Sequence, residues 1–577
     1  MKTEISSDET PGFTRRSFSL LLGAVAGGSG AALAQDLGPA PSGDFQNKAL
    51  LYLRSKVVDM DGPGLCVSVR KQGVELVRCS FGMSDMDQRV AVGPRTVFHL
   101  ASVTKQFTAF AICLLAVRNK LKLSTTIDAY FPMLPHAEEI MVSDLVHHTS
   151  GLQDQLTLLC LSGRSFEDYV SQDHMLQLSF RQRGLNFQPG TDCSYSNSGY
   201  TLLAEIVRIV SGMTLRQFLA EQVFVPFGMK NTFINDEHGK VIRNRARSSF
   251  KDNDGAWRNV ALDYQWWGPT SLNSTASDLT VWGSNFVDPP TDLAGAFATL
   301  RMPGRLRDGR EVSYCGGLQH GPVAGTQAFF HGGSDAAFRT HLLHIPSEKL
   351  SVAVLANTPL AVLAIADDLA AICMEGPTRA LMPNVVKDGH RVTGLAGTYV
   401  ARSGSVLVVR EGADGFTMRR PGVGADPAQA RNIIFRDDGS FDTGAPNAVK
   451  FTASRDKAGS VSQIAEIAGI SNIPYIYRRI EEQAVPVVPL QSYEGAFYSD
   501  ELDCTYNIVA DGNELTASSL GAEIIRFRQF AKDRFLSDSW HFTVLVFQRN
   551  GKGKVKGFLA SSQRTTDVSF GKRPSRA

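Results

Sequence analysis

The sequence predicts a mixed α/β (α+β) domain followed by two small antiparallel β-barrels, and three observations carry that prediction. Up to about Met382, apolar residues at helical spacing alternate with short strand-like segments. Beyond it, helical periodicity gives way to short alternating segments separated by Gly, Asp and Asn. That second part also repeats itself once, with a period of roughly 95–100 residues, about one small domain. The expected organisation is a leader over 1–34, the α/β domain over 35–388, a first barrel over 389–485 and a second over 486–577.

The leader comes first. Thr14-Arg15-Arg16-Ser17-Phe18 is a twin-arginine pattern, followed by a Gly/Ala-rich apolar run and Ala32-Leu33-Ala34. It reads as a Tat export signal cut after Ala34, with the mature chain exported to the periplasm. As a membrane span, the run from Phe18 to Ala34 is short and glycine-interrupted, so no membrane association is expected after cleavage. Secretion beyond the periplasm stays open.

The chemistry begins at Ser102-Val103-Thr104-Lys105. Thr96–Leu100 reads as a short strand, and Ser102–Val117 carries apolar residues at helical spacing. The serine therefore opens a helix, and Lys105 projects from the same face one turn on. A lysine held in a dry site loses pKa and can take a serine proton. Ser248-x-x-Lys251, Ser454-x-x-Lys457 and Ser569-x-x-Lys572 share the spacing, but none opens an amphipathic helix.

Two further motifs complete the constellation. Tyr195-Ser196-Asn197 follows a Pro-Gly turn and precedes the helical stretch Tyr200–Val210, which places Tyr195 on a loop. Beside a lysine ammonium its phenol is expected to be stabilised as phenolate and to serve as a base, while Asn197 holds a substrate carbonyl or fixes the lysine. His331-Gly332-Gly333-Ser334 follows the strand-like Thr326–Phe330. The glycines are expected to clear room for a substrate backbone, and the Ser334 N–H to join that of Ser102 as an oxyanion donor.

Composition narrows the partners. Net charge is +2, and no Lys/Arg stripe with interleaved aromatics occurs, which argues against nucleic acid. The eight cysteines show no C-x-x-C spacing. Cys66 and Cys79 flank a predicted hairpin and could pair in an oxidising periplasm; the reading preferred is buried apolar thiols. His147-His148 lacks acidic neighbours at ligand spacing, so neither a metal nor another cofactor is expected. Homo-oligomer formation stays open.

In order, S-x-x-K, Y-x-N and H-x-G resemble the three signatures of the penicillin-recognising serine hydrolases, and Asp144–Leu152 and Ser274–Leu279 resemble the class C β-lactamase and esterase-like branch. The resemblance runs from about Asp44 to Met374 and implies a β-lactamase/transpeptidase-like domain with Ser102 as nucleophile, Lys105 and Tyr195 in proton transfer, and Asn197, His331, Gly332, Gly333 and Ser334 around the substrate. His331 stands where β-lactamases and DD-carboxypeptidases of the superfamily usually carry a cation, which turns the expectation towards esterases, amidases or aminopeptidases. A serine domain followed by two barrels resembles the D-aminopeptidases, in which a loop of the last barrel contacts the substrate's amino group. That resemblance implies a small peptide or amide substrate, and the matching segment here, Ser537–His541, offers Asp538 as the ammonium anchor. The alternatives are a carboxylesterase or β-lactamase-like hydrolase and a non-catalytic cell-wall peptide binder.

Overall fold

The computed structural model describes residues 44–56, 59–165, 168–375, 392–402, 404–413, 415–421, 430–436, 438–443, 449–468, 471–480, 488–519 and 523–574. The expected leader and most of the expected linker Glu482–Pro489 lie outside the described residues, as does the expected boundary near residue 388.

The first domain is built on a six-stranded antiparallel sheet. Its strands are β1 (Leu65–Lys71), β2 (Val74–Phe81), β3 (Gln319–Val323), β4 (Thr326–Asp335), β5 (Phe338–Ile345) and β6 (Leu350–Ala356), in the order β3-β4-β5-β6-β1-β2. Every residue of β6 is buried, because both faces of the sheet are covered. Val352 and Val354 point to the face packed by helices Asp44–Lys56 and Val362–Cys373, through Ala49, Leu53, Ile365 and Leu369. Ala353 and Leu355 point to the opposite face, against Leu279 of helix Ala276–Ser284 and the helical half of the domain. Cys66 belongs to one face and Cys79 to the other, so the two thiols cannot pair, and both are free and buried.

The helical half surrounds one helix that is apolar on all sides. Thr104–Val117 is buried from Thr104 to Leu115, as expected of a helix with neighbours all round. The predicted helix from Ser102 differs in one detail. Ala101–Val103 forms a 3-10 turn and the α-helix starts at Thr104, so Ser102 sits on the tighter entrance. The helix expected from Tyr200 begins earlier, at Asn197, and the strand expected over Thr326–Phe330 runs on to Asp335.

The C-terminal part forms two antiparallel barrels. In the last one, eight strands from Gly495–Ser499 to Thr565–Lys572 close completely, and Phe497 pairs with Lys572. In the first, Thr398 pairs with Ile480 in the same way. There Arg431–Asn432 pairs with one neighbouring strand and Ile434–Phe435 with another, so the segment 431–435 bridges the ring. The chain repeat read from sequence is thus a repeat of strand order.

The last barrel is fused to the first domain by apolar burial. Leu158, Leu159 and Leu161 of helix Gln155–Leu161 share one cluster with Tyr506, Phe542 and Phe558 of the barrel. Val406 joins Leu536 and Val544 between the two barrels.

Candidate active site

Ser102 is held by strain and close packing. Ala101, immediately before it, adopts φ 49°, a left-handed conformation unfavourable for a residue with a Cβ and typical of over-determined functional positions. The Leu100-Ala101 turn lies against β4 at Gly333, where a Cβ would collide with the Leu100 carbonyl oxygen and Thr340 Oγ1. Gly333 is therefore glycine because the turn that carries Ser102 packs there. This differs from the expected reason, room for a substrate backbone. At Gly332 a Cβ would meet nothing closer than 3.6 Å, and that residue borders the cleft.

Lys105 Nζ is fully buried and donates to Ser102 Oγ at 3.1 Å, Asn197 Oδ1 at 2.8 Å and the Pro269 carbonyl at 3.1 Å. Burial pulls its pKa well below the usual lysine value; the Asp154 charge opposes this and the Arg564 charge adds to it. The Tyr195 ring lies 4.7 Å from Lys105 Nζ. Burial raises the Tyr195 phenol above its ordinary value, against a hydrogen bond with Ser102 and the charge of Arg564. The phenolate expected from the lysine's proximity is thus not favoured, because desolvation outweighs the charges around it. The environments push the two pKa values in opposite directions, the lysine down and the phenol up.

His331 is buried, with its pKa pushed down to about 3 by burial and by Lys105. Its Nδ1–H donates to the Gly332 carbonyl at 2.6 Å, and Nε2 accepts from the Tyr314 hydroxyl at 3.0 Å. A neutral ring tied in this way supports the Tyr195 side of the site and offers no charge to a substrate. His148, its ring centroid 4.4 Å from those of both Tyr195 and Tyr314 in tilted contacts, accepts the Ser196 N–H and braces the Tyr195 loop.

The structure brings Ser102, Tyr195, Asn197, His331, Gly332, Gly333 and Ser334 to the wall of one cavity of about 910 Å³, with Lys105 directly behind Ser102. Asp538 is placed elsewhere. Its carboxylate pairs with Arg419 of the first barrel at 2.5 Å and does not line the cavity. The repeat located this loop but could not tell which of its residues faces the neighbouring barrel. Trp540 of the same loop does reach the cavity wall. The rival quartets at Ser248 and Ser569 lie in strands, where residues three apart point to opposite faces, and Ser454 lies at the end of a strand with Lys457 in the turn beyond it.

Three charged residues of the site were not read from sequence. Asp154 is fully buried; its Oδ2 accepts the Asn197 backbone N–H and Nδ2–H, both at 2.9 Å, while Oδ1 caps helix Gln155–Leu161. With Nδ2 so engaged, Asn197 fixes the lysine rather than a substrate carbonyl. An Asp opening an apolar run was the available signal. Asp154→Asn is expected to cut kcat/KM on the order of 10²-fold by loosening Asn197 and Lys105. It should also move the acid limb of the pH profile to lower pH, because the lost carboxylate was raising the Lys105 pKa. A pH series of initial rates checks both.

Asp335 closes β4 beside Ser334 and lines the cavity. Its Oδ2 accepts from Tyr264 at 2.5 Å, His99 at 3.1 Å and Thr270 at 3.2 Å. Burial alone would raise this carboxyl, but His99, then Tyr264 and Thr270, hold it below its ordinary value. Arg564, on the hairpin between Val555–Ser562 and Thr565–Lys572 of the last barrel, places its guanidinium 4.9 Å over the Tyr195 ring.

A serine hydrogen-bonded to a buried lysine at the start of a helix, packed against a six-stranded sheet, is the arrangement of a serine hydrolase of the S-x-x-K kind. The chain belongs to the Beta-lactamase family, whose pattern matches residues 53–372, more than half of it. It is 28% identical over 391 residues to a D-aminopeptidase of Gluconobacter oxydans (strain 621H), a match covering 65% of this chain and 71% of that protein. A D-aminopeptidase of Brucella canis is 28% identical over 297 residues, covering 51% of this chain and 56%, about half, of that relative's length. The fold is similar to that of the octameric penicillin-binding protein homologue from Pyrococcus abyssi, at TM-score 0.54 and 19% identity, over 75% of this chain and 99% of that one.

Proposed function

We propose that the protein releases N-terminal D-residues from short peptides, amides or esters through a Ser102 acyl-enzyme. The D-aminopeptidase relatives support the reaction class and its stereochemistry. The observation that carries the free-amine requirement is Asp335, an ionised carboxylate on the cavity wall one residue from Ser334, whose Oδ1 has no hydrogen-bond partner among the described residues. A substrate ammonium is the natural partner for it.

In this reading neutral Lys105 Nζ takes the Ser102 proton as Oγ attacks the scissile carbonyl. The oxyanion is met by the N–H groups of Ser102 and Ser334. Tyr195 gives its proton to the departing amine and recovers one from Lys105 through the Ser102–Lys105–Tyr195 cluster. Water then attacks the acyl-enzyme along the reverse proton path, freeing the acid and restoring Ser102. The apolar surface around Trp540 and Leu159 accommodates the acyl side chain and excludes bulk water.

A panel of D- and L-aminoacyl p-nitroanilides, with free and acetylated amines, tests the reading. The expected order is D over L and free over acetylated, and Asp335→Asn should lower the free-amine preference at least tenfold. Preference for acetylated amides or short-chain esters would favour the carboxylesterase reading instead.

Export belongs to the same proposal and rests on Arg15-Arg16 and Ala32-Leu33-Ala34. Replacing both arginines by lysine is expected to trap the precursor in the cytoplasm. Normal periplasmic accumulation of that variant would contradict it.

A further inference from the structure

Arg564 is anchored by its backbone and leaves its charge uncommitted. The hairpin carrying it docks on the first domain through four hydrogen bonds. The Arg564 carbonyl accepts the Asp154 N–H at 3.1 Å and Asn186 Nδ2 at 2.9 Å, the Thr566 carbonyl accepts Gln153 Nε2 at 3.1 Å, and Thr566 Oγ1 donates to Asn186 Oδ1 at 3.0 Å. Two of these bonds involve Asp154 and its neighbour Gln153, the segment that fixes Asn197, so the hairpin is in register with the catalytic groups. The side chain, in contrast, lies over the Tyr195 ring. Among the described residues it has no carboxylate or carbonyl acceptor. An arginine that lines a half-buried cleft without an acceptor is poised for an anion.

Its position says which part of the substrate that anion belongs to. The proton for the leaving amine comes from the Tyr195 side of the site, so a group lying over the Tyr195 ring faces the leaving group. If the leaving group is an amino acid, its carboxylate is two bonds from the departing nitrogen, within reach of a guanidinium at this position. The other arginine on the cavity wall is not equivalent. Arg339 Nη1 is engaged by the carbonyls of Ala336 and Phe338, at 3.2 and 2.7 Å.

We infer that Arg564 of the last barrel builds a carboxylate subsite on the leaving-group side of the cleft, so that the substrates are short peptides whose departing residue ends in a free carboxylate. The missing cation at His331 is thus replaced from another domain. The inference rests on Ser102 as the nucleophile and narrows the proposed substrate class. With Asp335 at the amine end and Arg564 at the carboxylate end, the cleft is matched to a zwitterionic dipeptide. It also gives the last barrel a role in recognition beyond covering the domain.

The test uses the full-length protein and four forms of one D-Phe-Gly dipeptide, with the amine free or acetylated and the C-terminus free or amidated. Wild type is expected to prefer the free C-terminus in both amine forms. The Arg564 charge also reaches Lys105 and Tyr195, so the decisive quantity is the ratio of kcat/KM for the free acid to that for the amide. Arg564→Gln should reduce this ratio roughly 10- to 150-fold, and Arg564→Lys by less. For any form that is not turned over, the ratio of Ki values of the amide and the free acid against p-nitrophenyl butyrate hydrolysis reports the corresponding binding preference. A wild-type ratio near one, or a ratio unchanged by both substitutions, overturns the subsite. The acetylation contrast reports separately on the free-amine reading, so either claim can fail without the other.

Discussion

Ser102→Ala is expected to lower kcat by at least about 10⁴-fold while the melting temperature stays within a few degrees of wild type. The scale is that of removing a serine nucleophile whose surroundings still bind and polarise the substrate. The fold should tolerate the change because the Ser102 side chain borders the cavity and Lys105 keeps its acceptors on Asn197 and Pro269; the strained Ala101 turn is held by Gly333 and Thr340. Steady-state kinetics with a thermal melt on the same preparation check both halves. Activity within tenfold of wild type would remove Ser102 from the mechanism.

Lys105→Met should be nearly as damaging, with kcat down roughly 10²- to 10⁴-fold, the range of a positioned general base. The side chain is fully buried and touches Ser102 Oγ, so no solvent base can replace it directly. The pH dependence has a definite sign. Lys105 must be neutral to accept the serine proton, and its pKa is held well below the ordinary lysine value, first by burial. Wild-type kcat/KM should therefore fall as pH drops through that lowered pKa, and this acid limb should disappear in Lys105→Met. An acid limb of unchanged midpoint in the variant would assign the titration to another group. Methionine nearly conserves the buried volume, and a melting curve establishes that the variant is folded.

The local parts of this architecture were readable from residues alone. Apolar spacing after Ser102 announced the buried helix, the Pro-Gly turn placed Tyr195 on a loop, and the loss of helical periodicity after Met382 marked the barrels. What sequence could not supply were the balances and the contacts between domains. Proximity of Tyr195 to Lys105 suggested a phenolate, but the outcome turns on desolvation, and how dry the site becomes depends on the packing of several elements. Asp154 was within reach as a helix cap. Its second role, holding Asn197 through the other carboxylate oxygen, appears only when two segments meet. Arg564 sits in an ordinary polar hairpin, Ser562-Gln563-Arg564-Thr565, and nothing local distinguishes it. Asp538 looked like an ammonium anchor because the repeat identified its loop; Arg419 on the neighbouring barrel, far away in sequence, takes its charge.

The central claim is that Ser102 forms the acyl-enzyme with an N-terminal D-residue. Rapid quenching of wild-type protein during turnover of a D-aminoacyl ester, followed by proteolysis and mass spectrometry, reads this directly. The account predicts an increment equal to one D-aminoacyl group on the peptide containing Ser102, absent from Ser102→Ala and weaker with the L-enantiomer. An adduct on Ser248, Ser334 or any other residue during measured turnover would contradict it.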